Sequence, residues 1–307
     1  MLYFIVNPNA GGGRGLRVWN AVRKYLDQRQ LRYDVSFTDG PGDAKRKARE
    51  LTERGGAEER CIVTVGGDGT MNEVADGVSF SHEVVLGFLP AGSGNDLCRG
   101  LRLTANIKRL MEHLFHEGMV RSYDYGVVSC GCTECENRRF LVSSGVGFDA
   151  AVCQRLLSAR QRGGRLRFGR LSYYLAGLHE FLRAKPVKGY IVLDGERKVE
   201  FNHILFISAH IHPFEGGGFR FAPQADPQDG KLAICVVSNK NKFRLIPTLL
   251  CAKRHFSSTC KGVRFYECRE AHIHTERPLA VHTDGETCRT QTDIDVRCVE
   301  KQLRILS

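Results

Sequence analysis

No stretch of the 307-residue chain approaches the ~18 consecutive apolar residues of a membrane-spanning helix, and the opening MLYFIV is too short for a signal-peptide core. No internal repeat, low-complexity tract or long linker interrupts it. A GxxxxGK[ST] loop is missing, as are the HRD and DFG motifs of protein kinases, so nucleotide phosphates would not be held in either of those ways. Twelve cysteines without a secretory signal argue against a disulfide framework and predict free thiols in a reducing cytoplasm. Three of them, Cys130, Cys132 and Cys135, lack a nearby fourth ligand and match no common zinc spacing; they read as a hairpin tip. Acidic residues are in deficit, 34 against 45 basic ones, and the formal charge of +11 calls for an anionic partner. No recognised nucleic-acid motif accompanies that charge, which leaves an acidic membrane or a phosphorylated ligand, and no nucleic acid is expected. An apolar fraction of 42% with 26% charged residues is ordinary for a globular chain and supplies one large or two medium domains.

Residues 1–115 alternate strand and helix. Leu2 to Val6 read as a strand, followed by NPNAGGGRG and a helix with Val18, Val22 and Tyr25 on one side. Leu31, Tyr33, Val35 and Phe37 alternate as a second strand. A turn from Thr38 to Gly42 leads to Asp43, which caps a basic helix with Ala44, Ala48 and Leu51 inward. Val84 to Leu89 make a further strand ending in PAGSGND, and Thr104 is expected to cap a helix through Ile107, Leu110, Met111 and Leu114. Such repeated units predict a doubly wound parallel α/β sheet with its ligand loops at the C-terminal ends of the strands. From about Val120 short strands take over, at 120–128, 139–146, 189–194, 197–208, 231–237, 263–267, 270–275, 278–283 and 294–306. Helical segments near 148–162, 169–183 and 243–254 interrupt them. This predicts an antiparallel β domain, with the chain divided as 1–123 and 124–307.

The stretch from Cys61 to Val78 concentrates the chemistry. Cys61, Ile62, Val63 and Val65 form a buried strand, and Gly66, Gly67 and Gly69 let the chain turn and approach a ligand closely. Thr70 and Glu73 have capping-box spacing, and Met71, Val74, Ala75 and Val78 fall on one helical face. Free amides and the positive end of a helix dipole then converge on one spot, which suits a phosphate. Asp68 among the glycines suits Mg²⁺, direct or through water. The same residues also describe an ordinary strand-to-helix turn.

GGDGTMNEV resembles the nucleotide-binding signature of the diacylglycerol kinase catalytic-domain family, whose relatives include sphingosine and ceramide kinases. NAD kinases share Gly-Gly-Asp-Gly, but PAGSGND resembles a second loop that they do not show in this form. The resemblance covers nearly the whole chain and implies an α/β ATP-binding domain followed by an antiparallel β-sandwich, with ATP between them and the last strand able to return to the first domain. Nucleotide contacts are implied at Asn7, Pro8, Asn9, Gly11, Gly12 and Gly13, and at Thr38. They continue through Gly66, Gly67, Asp68, Gly69, Thr70, Asn72 and Glu73 to Ser93, Gly94 and Asn95. Asp68, Asp96 and Asp124 are implied to organise Mg²⁺ through water. On local reading alone, Asp96 caps a helix, Asp124 ends a strand and Thr38 supports a turn.

Phosphorylating an alcohol requires a group that accepts its proton, and in the resembled family that group lies in Asp-Gly-Glu. The tripeptide occurs twice. Asp194-Gly195-Glu196 sits between alternating strands as a hairpin turn, whereas Asp284-Gly285-Glu286 lies downstream of DPQDG, where the family carries its base. Glu286 is assigned on that ground; turn chemistry alone does not separate the two. ADPQDGKLAI resembles a structural Mg²⁺ loop, implying Asp229 with the carbonyls of Asp226 and Lys231; a plain Asp-Gly turn is the alternative. Residues 155–188 interleave Arg160, Arg162, Arg165 and Arg167 with leucines and aromatics, a composition suited to an anionic bilayer surface or to a solvated helix on the β domain. The expected protein is an ATP- and Mg²⁺-dependent kinase of a lipid alcohol, diacylglycerol foremost, cytoplasmic and peripheral on the membrane face. Phosphatidylglycerol, a sphingoid base and NAD remain alternative acceptors, and a catalytically silent lipid sensor a rival of another class. Oligomeric state is open, a homodimer included.

Overall fold

The computed structural model describes residues 1–53, 60–80, 84–104, 106–130, 137–161, 170–252 and 256–307, apart from the side chains at 116, 117, 130, 160, 161 and 170–174. Cys132, Cys135, Arg162, Arg165 and Arg167, with the side chains of Cys130 and Arg160, therefore lie outside the described residues.

The chain forms two units, Met1–Asp124 with Glu300–Ser307, and Tyr125–Val299. In the first, β1 (Leu2–Val6), β2 (Tyr33–Phe37), β3 (Arg60–Gly66) and β4 (Val84–Pro90) make a parallel sheet ordered β2-β1-β3-β4. Both β3 and β4 read as near-continuous apolar runs because helices cover them on each face. The helices of this unit are α1 (Ala10–Gln28), α2 (Asp43–Glu53), α3 (Asp68–Gly77), α4 (Asp96–Gly100) and α5 (Ile107–Glu112). Met71, Val74, Ala75 and Val78 are buried as their spacing predicts, and so are Val18, Val22 and Tyr25. Burying each large side chain of this core contributes about 1.5–3 kcal/mol.

Two predicted helix starts are corrected. α3 begins at Asp68, so Thr70 lies inside it and forms no capping box. The Thr70 hydroxyl instead accepts the Asn7 amide at 3.1 Å, and Glu73 reaches α2, accepting the N–H groups of Gly42 (2.9 Å) and Ala44 (3.2 Å). Long-range partners displaced a local pairing. At α5 the cap is Asn106, which accepts the Arg109 N–H at 3.2 Å, while Thr104 turns to the Asn106 N–H.

β5 (Val120–Cys130) leads into the second unit. There β6 (Arg138–Phe140), β7 (Ser143–Gly147), β8 (Val187–Leu193), β9 (Arg197–His210), β10 (Leu232–Ser238) and β11 (Val263–Cys268) are joined by β12 (Glu270–Leu279), β13 (Val281–Thr283), β14 (Glu286–Thr287) and β15 (Gln291–Leu306). β9 is long enough to pair β8 along its first half and to lie between β7 and β10 along its second. The result is an antiparallel sandwich whose inner faces bury Phe140, Ile191, Ile207, Ile234 and Ile273. α6 (Phe148–Gln161), α7 (Arg170–Arg183) and α8 (Ile246–Cys251) accompany it, close to the predicted helical segments. β15 carries the chain back into the first unit, where Ile305 pairs in parallel with Leu86. The single strand expected over 139–146 is split, because the N–H groups of Leu141, Val142 and Ser143 turn to the carboxylate of Asp284 instead of to a ladder.

Candidate active site

Three loops meet at the C-terminal ends of β1, β3 and β4. After β1, Gly11, Gly12 and Gly13 take φ values of 57°, 69° and 90°, a run only glycine adopts readily. A Cβ at Gly11 would overlap the Ala91 carbonyl, whereas Gly12 and Gly13 border open space. Gly67 and Gly92 cross so closely that a Cβ on Gly92 would stand 2.6 Å from the Gly67 Cα. The loops after β1, β3 and β4 are thereby drawn into one cradle of backbone.

Asp68 lies at the edge of this cradle. Its carboxylate accepts the N–H groups of Asp96 (3.1 Å) and Leu97 (3.3 Å) at the start of α4. A Cβ at Gly94 would stand 3.0 Å from Asp68 Oδ2 and 3.7 Å from Asp96 Oδ2, and the Asp96 carboxylate takes Arg99 Nη1 at 2.6 Å. Asp124 is 1% exposed and accepts the Lys301 N–H at 2.8 Å. Asp68, Asp96 and Asp124 do not form a tight cluster of direct ligands; among the described residues the set with ligand atoms within 4.8 Å of one another is Asp149, Glu215 and His282. All-oxygen donors at wider spacing are compatible with a hydrated Mg²⁺, which keeps several of its waters. Thr38 is buried at the end of β2, its N–H on the Val6 carbonyl at 2.8 Å. Ser93 is exposed at the loop tip and Asn72 is buried in α3.

In the second unit the two Asp-Gly-Glu turns share a backbone. Asp194 and Asp284 have φ of 51° and 47°, Gly195 and Gly285 of 70° and 84°, and each aspartate accepts main-chain N–H groups. They differ in what lies beneath. Glu196 is exposed on its hairpin, while Glu286 is half-buried next to a set of buried titratable groups that sequence reasoning missed. His282 Nε2 stands 3.4 Å from Asp149 Oδ2 and 3.4 Å from Glu215 Oε1, and His210 Nε2 is 3.6 Å from Glu215 Oε2. Burial, reinforced by the charge of Glu215, pushes the Asp149 carboxyl above its usual range. Burial likewise lowers His210 and pushes His212 down to about 4. Gly145, opposite His282 in the ladder, leaves the room: a Cβ there would overlap Asp149 Oδ2. The signal available in the sequence was charge inside otherwise apolar strands, His282 in AVHT and His210 in ISAH. In the DPQDG loop, Asp229 accepts the Lys231 N–H at 2.9 Å and Asp226 accepts that of Gln228 at 3.0 Å, both aspartates exposed.

Residues 1–128 match the diacylglycerol kinase catalytic domain, and residues 142–307 match the YegS C-terminal NAD kinase beta sandwich-like domain. YtlR of Bacillus subtilis (strain 168), whose lipid-kinase name is provisional, is 32% identical over 94% of both chains. The diacylglycerol kinase of Mycobacterium tuberculosis (strain H37Rv) is 26% identical over 96% of this chain and 88% of its own. A crystal structure of a diacylglycerol kinase from Bacillus anthracis str. Sterne shares the fold, with TM-score 0.73 at 21% identity over 99% and 96% of the two chains. The chain belongs to the diacylglycerol kinase catalytic-domain family, in the branch that carries the YegS-type sandwich, and is a lipid kinase. Membership implies ATP as phosphate donor and a lipid substrate.

Proposed function

We propose that the protein transfers the γ-phosphoryl group of ATP to the hydroxyl of diacylglycerol, giving phosphatidic acid and ADP. The hydroxyl oxygen attacks phosphorus, the bond to the β-phosphate bridging oxygen breaks, and Glu286 accepts the hydroxyl proton. The observation that carries the base assignment is the environment of Glu286, half-buried on a strand paired with the one that carries the buried His282, against the exposed hairpin of Glu196. The acceptor rests on the Mycobacterium tuberculosis relative named diacylglycerol kinase. Amides of the glycine loops at Asn7–Gly13 and Gly66–Thr70 bind phosphate, and Asp68, Asp96 and Asp124 would hold Mg²⁺ through water. When bound, the metal neutralises charge on the transferring phosphates. Asp229, with the carbonyls of Asp226 and Lys231, would hold a second, structural Mg²⁺. Radiolabelled phosphate transfer to a panel of lipid alcohols and NAD tests the acceptor: label in diacylglycerol supports the reading, and label in NAD alone sinks it.

The same reading places the enzyme at an anionic membrane surface. Among the described residues no helix is long and apolar enough to cross a membrane, so contact would be peripheral. Leu175, Leu178 and Leu182 share one face of α7 and are 56%, 58% and 58% exposed. Phe243, Ile246 and Leu250 repeat the spacing at α8, with Phe243 and Phe181 rings 6.0 Å apart and Lys242 donating to the Phe181 and Leu182 carbonyls. Apolar stripes among Arg183, Lys185, Lys242 and Arg244 suit an acidic bilayer, as do Arg160, Arg162, Arg165 and Arg167. Wild type is expected to sediment with phosphatidylglycerol liposomes and to release as salt rises. Replacing Leu178, Leu182 and Leu250 with serine should weaken sedimentation at unchanged ATP binding. Equal sedimentation would place the membrane surface elsewhere.

A further inference from the structure

His282 lies two residues before Asp284 and is fully buried. Its Nδ1 accepts the N–H of Gly285, the central residue of the Asp-Gly-Glu turn, at 3.2 Å. An accepting Nδ1 carries no proton, so the ring proton sits on Nε2, the nitrogen that faces Asp149 and Glu215 at 3.4 Å each. Two carboxylates flank that nitrogen without closing a hydrogen bond to it: Asp149 comes from the first turn of α6, and Glu215 from a tight loop closed by its own main-chain bonds to Phe219 at 2.8 and 2.9 Å. Burial works against charge on the ring, while Cys153, Asp149 and Glu215 favour it and raise the pKa of His282 well above the ordinary value. A second proton, however, would have to enter on Nδ1, against the Gly285 N–H. The contact to the turn therefore belongs to the singly protonated ring.

A divalent cation among Asp149, Glu215 and His282 fits this arrangement poorly. Its ligand would be the Nε2 lone pair, which moves the ring proton to Nδ1, where a metal-bound histidine normally donates to an acceptor. Here Nδ1 faces a donor. The set is better suited to holding one imidazole in one tautomer.

We propose that His282 is a positioning residue for the base: its ring, set between Asp149 and Glu215, accepts the Gly285 N–H and thereby fixes the turn from which Glu286 acts. The Asp284 carboxylate holds the near side of that turn through three main-chain N–H groups at 2.7, 2.8 and 2.9 Å, and His282 holds its centre. The exposed twin has the aspartate anchor without a buried imidazole beneath it; the residue two before Asp194 is Val192. The proposal rests on Glu286 being the base.

Asparagine and glutamine at 282 separate the two ring nitrogens. Asparagine can place an acceptor near Nδ1, whereas glutamine reaches toward Nε2 and leaves Gly285 without its acceptor. In the full chain, with ATP and dispersed diacylglycerol, His282→Gln is expected to lower kcat by about 10- to 100-fold with both KM values little changed, since a small misplacement of a reacting group has that effect. His282→Asn should recover most of the rate. Adding His282→Gln to Glu286→Gln should cost nothing further, because the positioned group is already gone. Equal rates in the asparagine and glutamine variants, or a double variant slowed by the product of the single effects, would overturn the role of His282 while leaving the base in place. A Glu286→Gln enzyme at the wild-type rate instead removes the base assignment itself, and this proposal with it. Should both histidine variants fail to fold, long-range ¹H–¹⁵N spectra of the wild-type imidazole decide: a proton on Nε2 alone supports the proposal, and a proton on Nδ1 ends it.

Discussion

Glu286→Gln is expected to leave ATP and lipid binding in place while kcat falls by about 10²–10⁴-fold, the usual contribution of a positioned base. The substitution keeps shape and volume and removes only the carboxylate's basicity. The loose transition state of phosphoryl transfer asks less of a base than most reactions do, so the low end of that range fits as well as the high end. Glu196→Gln is the matched control, since its turn has similar φ angles and an aspartate that likewise accepts main-chain N–H groups. It should shift stability by less than roughly 0.5 kcal/mol and leave turnover alone. Steady-state kinetics on both variants, beside their melting curves, check the pair. Slow Glu196→Gln with normal Glu286→Gln would mean that the base had been assigned to the wrong turn.

Those twin turns show where sequence reading stops. Their tripeptides are identical and so is the local chemistry, yet the partners of Asp284 lie 141–143 residues upstream, at a distance no periodicity reveals. The same limit explains the corrected capping box: Thr70 and Glu73 have the right spacing, but Asn7 and the start of α2 compete for their side chains and win. Single-period patterns were legible. The continuous apolar runs of β3 and β4, the amphipathic faces of α1 and α3, and the shift to short alternating strands after Val120 each follow from burial on one face or two, which a sequence records directly. The phosphate loops were legible for a related reason, because glycines at a strand end announce close backbone approach. His282 stands out as a titratable residue in an apolar strand, but nothing in the sequence joins it to Asp149 and Glu215. Each sits in a different segment, and their chemistry arises only from the fold that brings them together.

Asp68→Asn carries the second large effect, and the structure sharpens what to measure. The carboxylate accepts two main-chain N–H groups at the start of α4, one on each oxygen. Asparagine offers one accepting oxygen and sets an amide donor against the other N–H. Replacing such a cap outright by alanine costs about 0.5–2 kcal/mol, and asparagine, itself a good cap, should cost less than that range's upper end. A purely structural Asp68 would therefore lose a little melting temperature and almost no rate. An Asp68 that also faces hydrated Mg²⁺ at the phosphates loses a negative charge that aspartate alone supplies, and turnover should fall by about 10²-fold or more, out of proportion to stability. Raising Mg²⁺ should recover part of that loss, because the variant's deficit is in metal affinity as well as in charge. Melting curves and kcat measured across a Mg²⁺ series separate the alternatives. Undiminished turnover in a folded variant would confine Asp68 to capping α4, and the metal would then have to rest on Asp96 and Asp124.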